Sequence, residues 1–463
     1  MGYAMRKLLW VTLLYSLVGC GVLVEQVQDG MSAIERSQLI RQGRHGALTA
    51  QELQWAKIAW RYFENNTQTQ TGLVNTVDRY PTFTMSGLAD YLAALTAAHQ
   101  FGFIDDKQHD ERLTKVMTFL NEMALTQAGV PNKVYNASTG QMVDYGNQPG
   151  EVGWSALDIG RLLIWLAITK QRYPHFSEYI DKAVLRWNFC MLTGEDGLLY
   201  GGSIHQGKIS PYKEGRLGAE EYAAYGYLDW NIVPYRAMSL EPYESITFYG
   251  IDLLFDGRDP RYYDVLRPVL ATPYWQLGLE FNWDQIDDHD SQDSYHSAAQ
   301  LAQIAESVYQ IQEQRWRHER IYTARAEHIL SKPPYFVYDT LYALGSPWAT
   351  LADDGQFYPS AALVSTRAVF QMWALWDTEY TDQLMLLVQS LYQADRGWYE
   401  GRYEHSSAYE KSISLQTNTA VLTALLYKQQ GKLYQRAQSK EYRDVRRFNR
   451  FNHPGQCHAK GFE

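Results

Sequence analysis

Two kinds of apolar segment alternate along this chain, and no other feature limits its fold as much. One kind is amphipathic. In residues 110–126 the apolar positions Leu113, Val116, Met117, Leu120 and Met123 fall three and four apart, giving a helix one buried stripe and one wet face. Similar outer-type segments lie near 50–65, 177–192, 260–270, 315–330 and 380–394. The other kind is apolar nearly all round. Ser155 to Ile168 reads SALDIGRLLIWLAI, and such a helix has to be covered on both sides. Comparable inner-type segments start near Thr84, Gly218, Ser294, Ser360 and Ile413, each after a loop rich in Gly, Tyr, Trp and acids. Outer helix, long loop, inner helix therefore repeats about six times.

Two concentric helical layers account for both patterns. The expectation is an all-α (α/α)6 barrel, a six-hairpin toroid; an open solenoid of helix pairs would show the same alternation. The fourth unit is the least regular, because residues 231–292 read as an extended insertion carrying Pro242, Pro260, Pro268 and Pro273. Of the 463 residues, 46% are hydrophobic and 20% charged, enough apolar surface for one large core.

The first residues read as an address. Arg6 and Lys7 precede the apolar stretch Leu8 to Val18, which is too short for a good membrane span and fits a signal peptide. It ends in Leu17-Val18-Gly19-Cys20, which resembles a bacterial lipobox. That resemblance implies cleavage before Cys20, acylation of Cys20 and a membrane anchor. Gly21 in place of Asp is compatible with sorting to the outer membrane. The alternative is an uncleaved apolar helix with a chance cysteine. The expected organisation is a signal peptide at 1–20, a tether at 21–48, the helical domain at 49–434 and a basic tail at 435–463. Cys20, Cys190 and Cys457 are too few for a disulfide framework and lack zinc spacing.

A formal charge of −10 lacks the positive footprint that nucleic acid requires, so nucleic acid is excluded. A neutral polysaccharide makes no such demand, and 35 Tyr with 14 Trp offer many aromatic faces. In a closed ring the loops before the inner helices would gather at one end and form a cleft. Cleaving a glycosidic bond takes two carboxyl groups, one to protonate the leaving oxygen and one to activate water or attack the sugar.

Acids beside aromatics in these loops are the candidates. The third loop offers Glu214, Glu220 and Glu221, followed by Tyr222; helix-dipole complementation would use the same glutamates. The fourth offers Trp283 and Asp284, then Asp287, Asp288, Asp290 and Asp293. That acidic run could hold calcium, but without the EF-hand spacing and glycine a solvated loop is favoured, and no cofactor or metal is expected. The sixth loop presents Trp398, Tyr399 and Glu400, the last as a base or as an ion-pair partner of Arg402. The first and second loops offer Asp78 with Arg79 and Tyr80, and Asp144, Glu151 and Trp154, for hydroxyl bonding and stacking. His205, His289, His296 and His405 show no ligand spacing.

Several segments in order carry a family resemblance: PNKVYNASTGQMVDYGNQPGEVGWSALDIGRLLIWL, EGRLGAEEYAAYGY, LEFNWD, PYFVYDTLYALGSPW, GWYEGRYE and TNTAVLTALLYKQQGKL. From about Thr49 to Leu433 the chain resembles a bacterial family of unknown function related to glucoamylase-like six-hairpin proteins. The resemblance implies a toroid and an association with exopolysaccharide. By analogy it implies Glu221 or Glu220 as the acid and Glu400 or Asp284 as the base. Ala219 and Ala420 depart from the aromatic and the glycine expected at those places, which puts a subsite or the activity in doubt. The functional expectation is a lipid-anchored glycoside hydrolase or transglycosylase of the bacterial envelope. The alternatives are a non-cutting glycan-binding lipoprotein in polymer assembly or export, and a polysaccharide lyase.

Overall fold

The computed structural model describes residues 43–230, 232–240, 242–258, 268–283 and 299–434. The signal segment with Cys20, most of the expected tether, Asp284, the run from Asp287 through Asp290 and the basic tail lie outside these residues.

Eleven α-helices form among the described residues: α1 (Ala50–Asn66), α2 (Met85–Gln100), α3 (Asp106–Glu122), α4 (Ala156–Arg172), α5 (Ser177–Val184), α6 (Ala219–Leu228), α7 (Thr272–Phe281), α8 (Ala299–Glu319), α9 (Thr366–Leu375), α10 (Glu379–Val388) and α11 (Leu415–Gln430). Local sequence sets their ends. Thr49 and Glu52 close a capping box on α1, and Asp105 and Gln108 close one on α3. The two expected patterns appear as two layers. In α3 the buried residues include Leu113, Val116, Met117 and Leu120, a single stripe. In α4 every residue from Ile159 to Thr169 is buried.

The inner helices pack in cyclic order: α2 on α4, α4 on α6, α6 on α7, α7 on α9, α9 on α11, and α11 back on α2. The α4–α6 contact is the closest approach. A Cβ on Gly226 would stand 2.0 Å from the Gly160 carbonyl oxygen, and a Cβ on Gly160 would stand 2.6 Å from the Ala223 carbonyl oxygen.

The fourth unit departs from expectation. Its inner helix is α7, inside the stretch read as an insertion, and the segment near Ser294 leads into α8, which packs outside α7. Pro273 misled the reading: proline is tolerated in the first turn of a helix, where its missing N–H has no partner to lose, and it sits there in α7. The outer segment expected at 315–330 is overturned as well, since α8 ends at Glu319 and a strand occupies His328–Ile329. Of the one expected at 260–270, only residues 268–270 are described, and they are not helical.

The loops are not irregular. They fold into short antiparallel ladders, several of which run directly into an inner helix: Thr82–Thr84 into α2, Gly153–Trp154 into α4, Leu363–Ser365 into α9 and Tyr409–Ile413 into α11. The ladders lace neighbouring loops together. Thr82–Thr84 pairs with Val134–Asn136, and Gly153–Trp154 with Tyr200–His205.

Residues 43–46, expected to end a tether, are docked on the ring. The Arg44 N–H donates to the Ala374 carbonyl at 2.9 Å, and its guanidinium donates to the Trp376 carbonyl at 2.7 Å and pairs with Asp382 at 2.7 Å. The Gly46 N–H donates to the Lys428 carbonyl at 2.8 Å. These carbonyls close the C-terminal ends of α9 and α11, where a cation is favoured by the helix dipole.

Candidate active site

Because the ladders enter the inner helices at their N-termini, the polar side chains of those first turns collect at one end of the ring, in a cup. Asp158 lies in the first turn of α4, whose cap Ser155 accepts the Asp158 N–H at 3.1 Å. The half-buried Asp158 carboxylate accepts a hydrogen bond from Ser86 at the start of α2. Burial raises its pKa to about 6, and the nearby Glu214 adds to the rise against the opposing pull of Ser86 and Lys133.

Glu214 follows the Lys208–Lys213 strand and reaches the same helix end. Its Oε2 accepts the Ala156 N–H at 2.5 Å, and burial pushes its carboxyl up. Lys133 donates to the Tyr212 hydroxyl at 3.1 Å, with its ammonium 5.4 Å from the ring centre. Arg216 stacks over Tyr338 at 5.2 Å and lies within electrostatic reach of both Glu214 and Glu327. Glu327 accepts from the Thr272 hydroxyl at 2.5 Å and pairs with Arg367 at 3.2 Å.

The Asp158 shift has a consequence for stability. Its folded pKa lies above the ordinary aspartate value of 3.8. Asp158 therefore favours the fold fully below about pH 4, and that contribution is lost as pH rises through about 6. Asp158→Asn is expected to match the parent in stability near pH 4 and to exceed it at pH 7.5 by on the order of 1–2 kcal/mol. Equal pH slopes for the two proteins in thermal unfolding would refute the assignment.

The remaining expected site residues fare differently. Glu214 is in the cup. Glu220 is 1% exposed and accepts the Leu199 N–H at 2.8 Å. Glu221, also 1% exposed, accepts the Gly218 N–H at 2.6 Å and caps α6. Glu400, 2% exposed, accepts from the Ser414 hydroxyl at 2.5 Å and the Thr417 hydroxyl at 2.9 Å, not from Arg402. All three carboxylates lie in the interior, where they brace loops and helix starts. Asp78 is taken by Arg396 and by Asn66 at 2.9 Å, which pins the first loop to the sixth.

Most of the expected aromatics lie in the interior too. Trp154 and Trp398 are fully buried and donate to the Tyr200 and Trp55 carbonyls at 3.0 and 3.2 Å. Trp283 is buried against Trp376, with ring centres 5.7 Å apart. Indoles in these positions have no face left for a sugar. Tyr399 is partly exposed, stacked on Tyr409 at 5.7 Å, and Tyr80 is exposed.

Tyr222 belongs to a buried polar cluster made by four consecutive inner helices. Arg161 of α4 pairs with Asp90 of α2 at 2.5 Å and with Glu280 of α7 at 3.1 Å. Glu280 also accepts from the Tyr222 hydroxyl at 2.7 Å and the Trp165 indole at 2.9 Å. Burial raises the Glu280 carboxyl, opposed by Arg161, Tyr222 and Trp165. Electrostatic contact between Asp90 and Asp158 places this cluster close to the cup.

Sequence reading missed Asp158, Lys133, Arg216, Glu327 and Tyr338. A signal for Asp158 was present: an acid in the first turn of a helix otherwise apolar on every side. Among the described residues no cluster of His, Cys, Asp and Glu is arranged to hold a metal ion.

The fold has solved counterparts. An endo-β-1,2-glucanase from Chitinophaga pinensis superposes with a TM-score of 0.57 at 15% identity, over 84% of this chain and 94% of that one. A Bacteroides caccae protein provisionally named a glucoamylase gives 0.57 at 13%, over 82% and 92%. An endo-β-1,2-glucanase from Talaromyces funiculosus in complex with sophorose gives 0.53 at 10%, over 82% and 84%. At these identities the likeness is one of fold. Comparison with curated proteins finds no match. Residues 54–431 match the family described as "Protein of unknown function (DUF3131)", and the chain belongs to that family.

Proposed function

We propose that the protein is a glycoside hydrolase of the bacterial envelope, acting on polysaccharide in the cup of an (α/α)6 toroid. The observation that carries this reading is the pair Asp158 and Glu214 at the N-terminal end of α4. The charge of the buried Glu214 raises the proton affinity of the half-buried Asp158 beside it. Asp158, with a pKa of about 6, keeps a proton to give to the departing sugar oxygen in mildly acidic solution, and the rate is expected to fall as pH rises through about 6. Glu214 holds that proton in place by its charge and is itself fixed by the Ala156 N–H. Glu327, set between Arg367 and Arg216, is the carboxylate for water or for the sugar carbon.

The cyclic packing of six inner helices supports the toroid, and solved structures of like fold include endo-β-1,2-glucanases. Export and a lipid at Cys20 rest on the Leu17-Val18-Gly19-Cys20 sequence. No helix among the described residues is long and apolar enough to cross a membrane.

Reducing-end release from linear β-1,2-glucan, and from β-1,3-, β-1,4- and α-glucans, tests the assignment. The chain from residue 21 onward is expected to cut at least one of them. Asp158→Asn and Glu327→Gln are each expected to lower the rate about 100-fold or more without lowering the melting temperature. Full activity in either variant removes that residue from the mechanism. A second reading, a protein that holds glycan without cutting it, draws on the sealed positions of Glu220, Glu221 and Glu400; binding without cleavage by the unmutated protein would favour it.

A further inference from the structure

Tyr145 is 67% exposed, yet it lies within electrostatic reach of Asp158, Tyr338, Asp353 and Tyr212, which come from two other loops and the start of α4. An exposed ring with such groups from several elements in reach stands on the side of the ring of helices where Asp158 lies. Its backbone is held firmly. In the turn that carries it, the Asp144 N–H donates to the Gln148 carbonyl at 2.8 Å, and Asp144 Oδ1 accepts the Gln148 N–H at 2.8 Å. Asn136 donates to the Asn147 side chain at 2.9 Å, and the Tyr80 hydroxyl of the first loop donates to the Tyr145 carbonyl at 2.9 Å. The ring is thus offered to the cup from a fixed tip.

The floor opposite is electrically balanced. Lys133, Arg216 and Arg367 face Asp158, Glu214 and Glu327, each within contact or electrostatic reach of a partner of opposite sign. The floor tyrosines already carry a cation on one face, Lys133 on Tyr212 and Arg216 on Tyr338. A uronate would find no surplus positive charge here, and the exposed Asp353 would repel it. An uncharged sugar can lay its C–H face on the Tyr145 ring and turn its hydroxyls to the carboxylates.

We propose that Tyr145 is a positioning residue, the roof of the cup, which presses one sugar of an uncharged glycan against the floor beside Asp158. This rests on the glycosidase reading for its chemistry, but its test does not. Binding is measured by calorimetry in an Asp158→Asn background, so that nothing is cut, with linear β-1,2-, β-1,3- and β-1,4-gluco-oligosaccharides and with oligogalacturonate. At least one neutral oligosaccharide is expected to bind. Adding Tyr145→Ala should weaken it about tenfold or more, while Tyr145→Phe, which keeps the ring, should stay within about threefold. Tyr145 is exposed, so neither change should move the melting temperature. Unchanged affinity in the alanine variant, no binding of any neutral oligosaccharide, or tighter binding of oligogalacturonate each overturns the proposal. If the unmutated protein cleaves glucan and Tyr145→Ala binds normally, the roof fails and the hydrolase stands. If nothing is cleaved but the alanine variant loses binding, the hydrolase fails and the roof stands.

Discussion

Arg161→Met is expected to cost about 3–5 kcal/mol and to leave the chain largely unfolded or aggregated on expression. The guanidinium sits between Asp90 at 2.5 Å and Glu280 at 3.1 Å, with all three side chains no more than 10% exposed. Methionine fills much of the same space but strands two carboxylates in the interior, each of which must take up a proton or drag water in. The loss arises from the partners left behind, not from the worth of the ion pairs. Adding Asp90→Asn and Glu280→Gln to Arg161→Met should therefore restore part of the stability, although more contacts have been removed. Urea unfolding of the parent, the single and the triple variant reads both effects. A single variant within about 1 kcal/mol of the parent would mean that the cluster is not closed as described.

The second large effect has a sign opposite to helix propensity. Glycine inside a helix costs about 1 kcal/mol relative to alanine, so Gly226→Ala on an isolated α6 would stabilise it. In the ring, the new methyl would stand 2.0 Å from the Gly160 carbonyl oxygen of α4. Backbone cannot step aside as a flexible side chain does, so the two helices must separate, at a cost of about 3 kcal/mol or more. Since Asp158 and Glu214 meet at the end of α4, a shift there should also disturb the cup. Gly226→Ala is expected to melt well below the parent and, if it folds, to lose activity on any substrate the parent cuts. A rise in melting temperature would show that the helices do not approach so closely.

The layers of this protein were legible where one side-chain period dominates. The three-and-four spacing of Leu113, Val116, Met117 and Leu120 names an outer helix, and the unbroken apolar run after Ser155 names an inner one. Reading failed where a local rule was applied too broadly. Pro273 argues against a helix only if proline is treated as a breaker everywhere, and the first turn accepts it; Glu280 argues against one because a lone acid in a buried helix is costly. Arg161, more than a hundred residues earlier, meets that cost, and nothing local to Glu280 announces it.

The site was less legible, for a related reason. Glutamate beside tyrosine or tryptophan describes a sugar subsite, and it equally describes a carboxylate that braces a helix start, as Glu221 and Glu400 do. Composition cannot tell the two apart; exposure can. Asp158 escaped notice because its neighbours in sequence are apolar, while the groups that give it a role, Ser86, Lys133 and Glu214, come from three other places in the chain.

The docking of Arg44 fixes a direction as well as a contact. The chain arrives against the C-terminal ends of α9 and α11, and the cup opens at the opposite ends of the same helices. Holding the protein on a solid support through residue 43 would therefore turn the mouth outward, and a long glycan could be gripped without having to pass between protein and support.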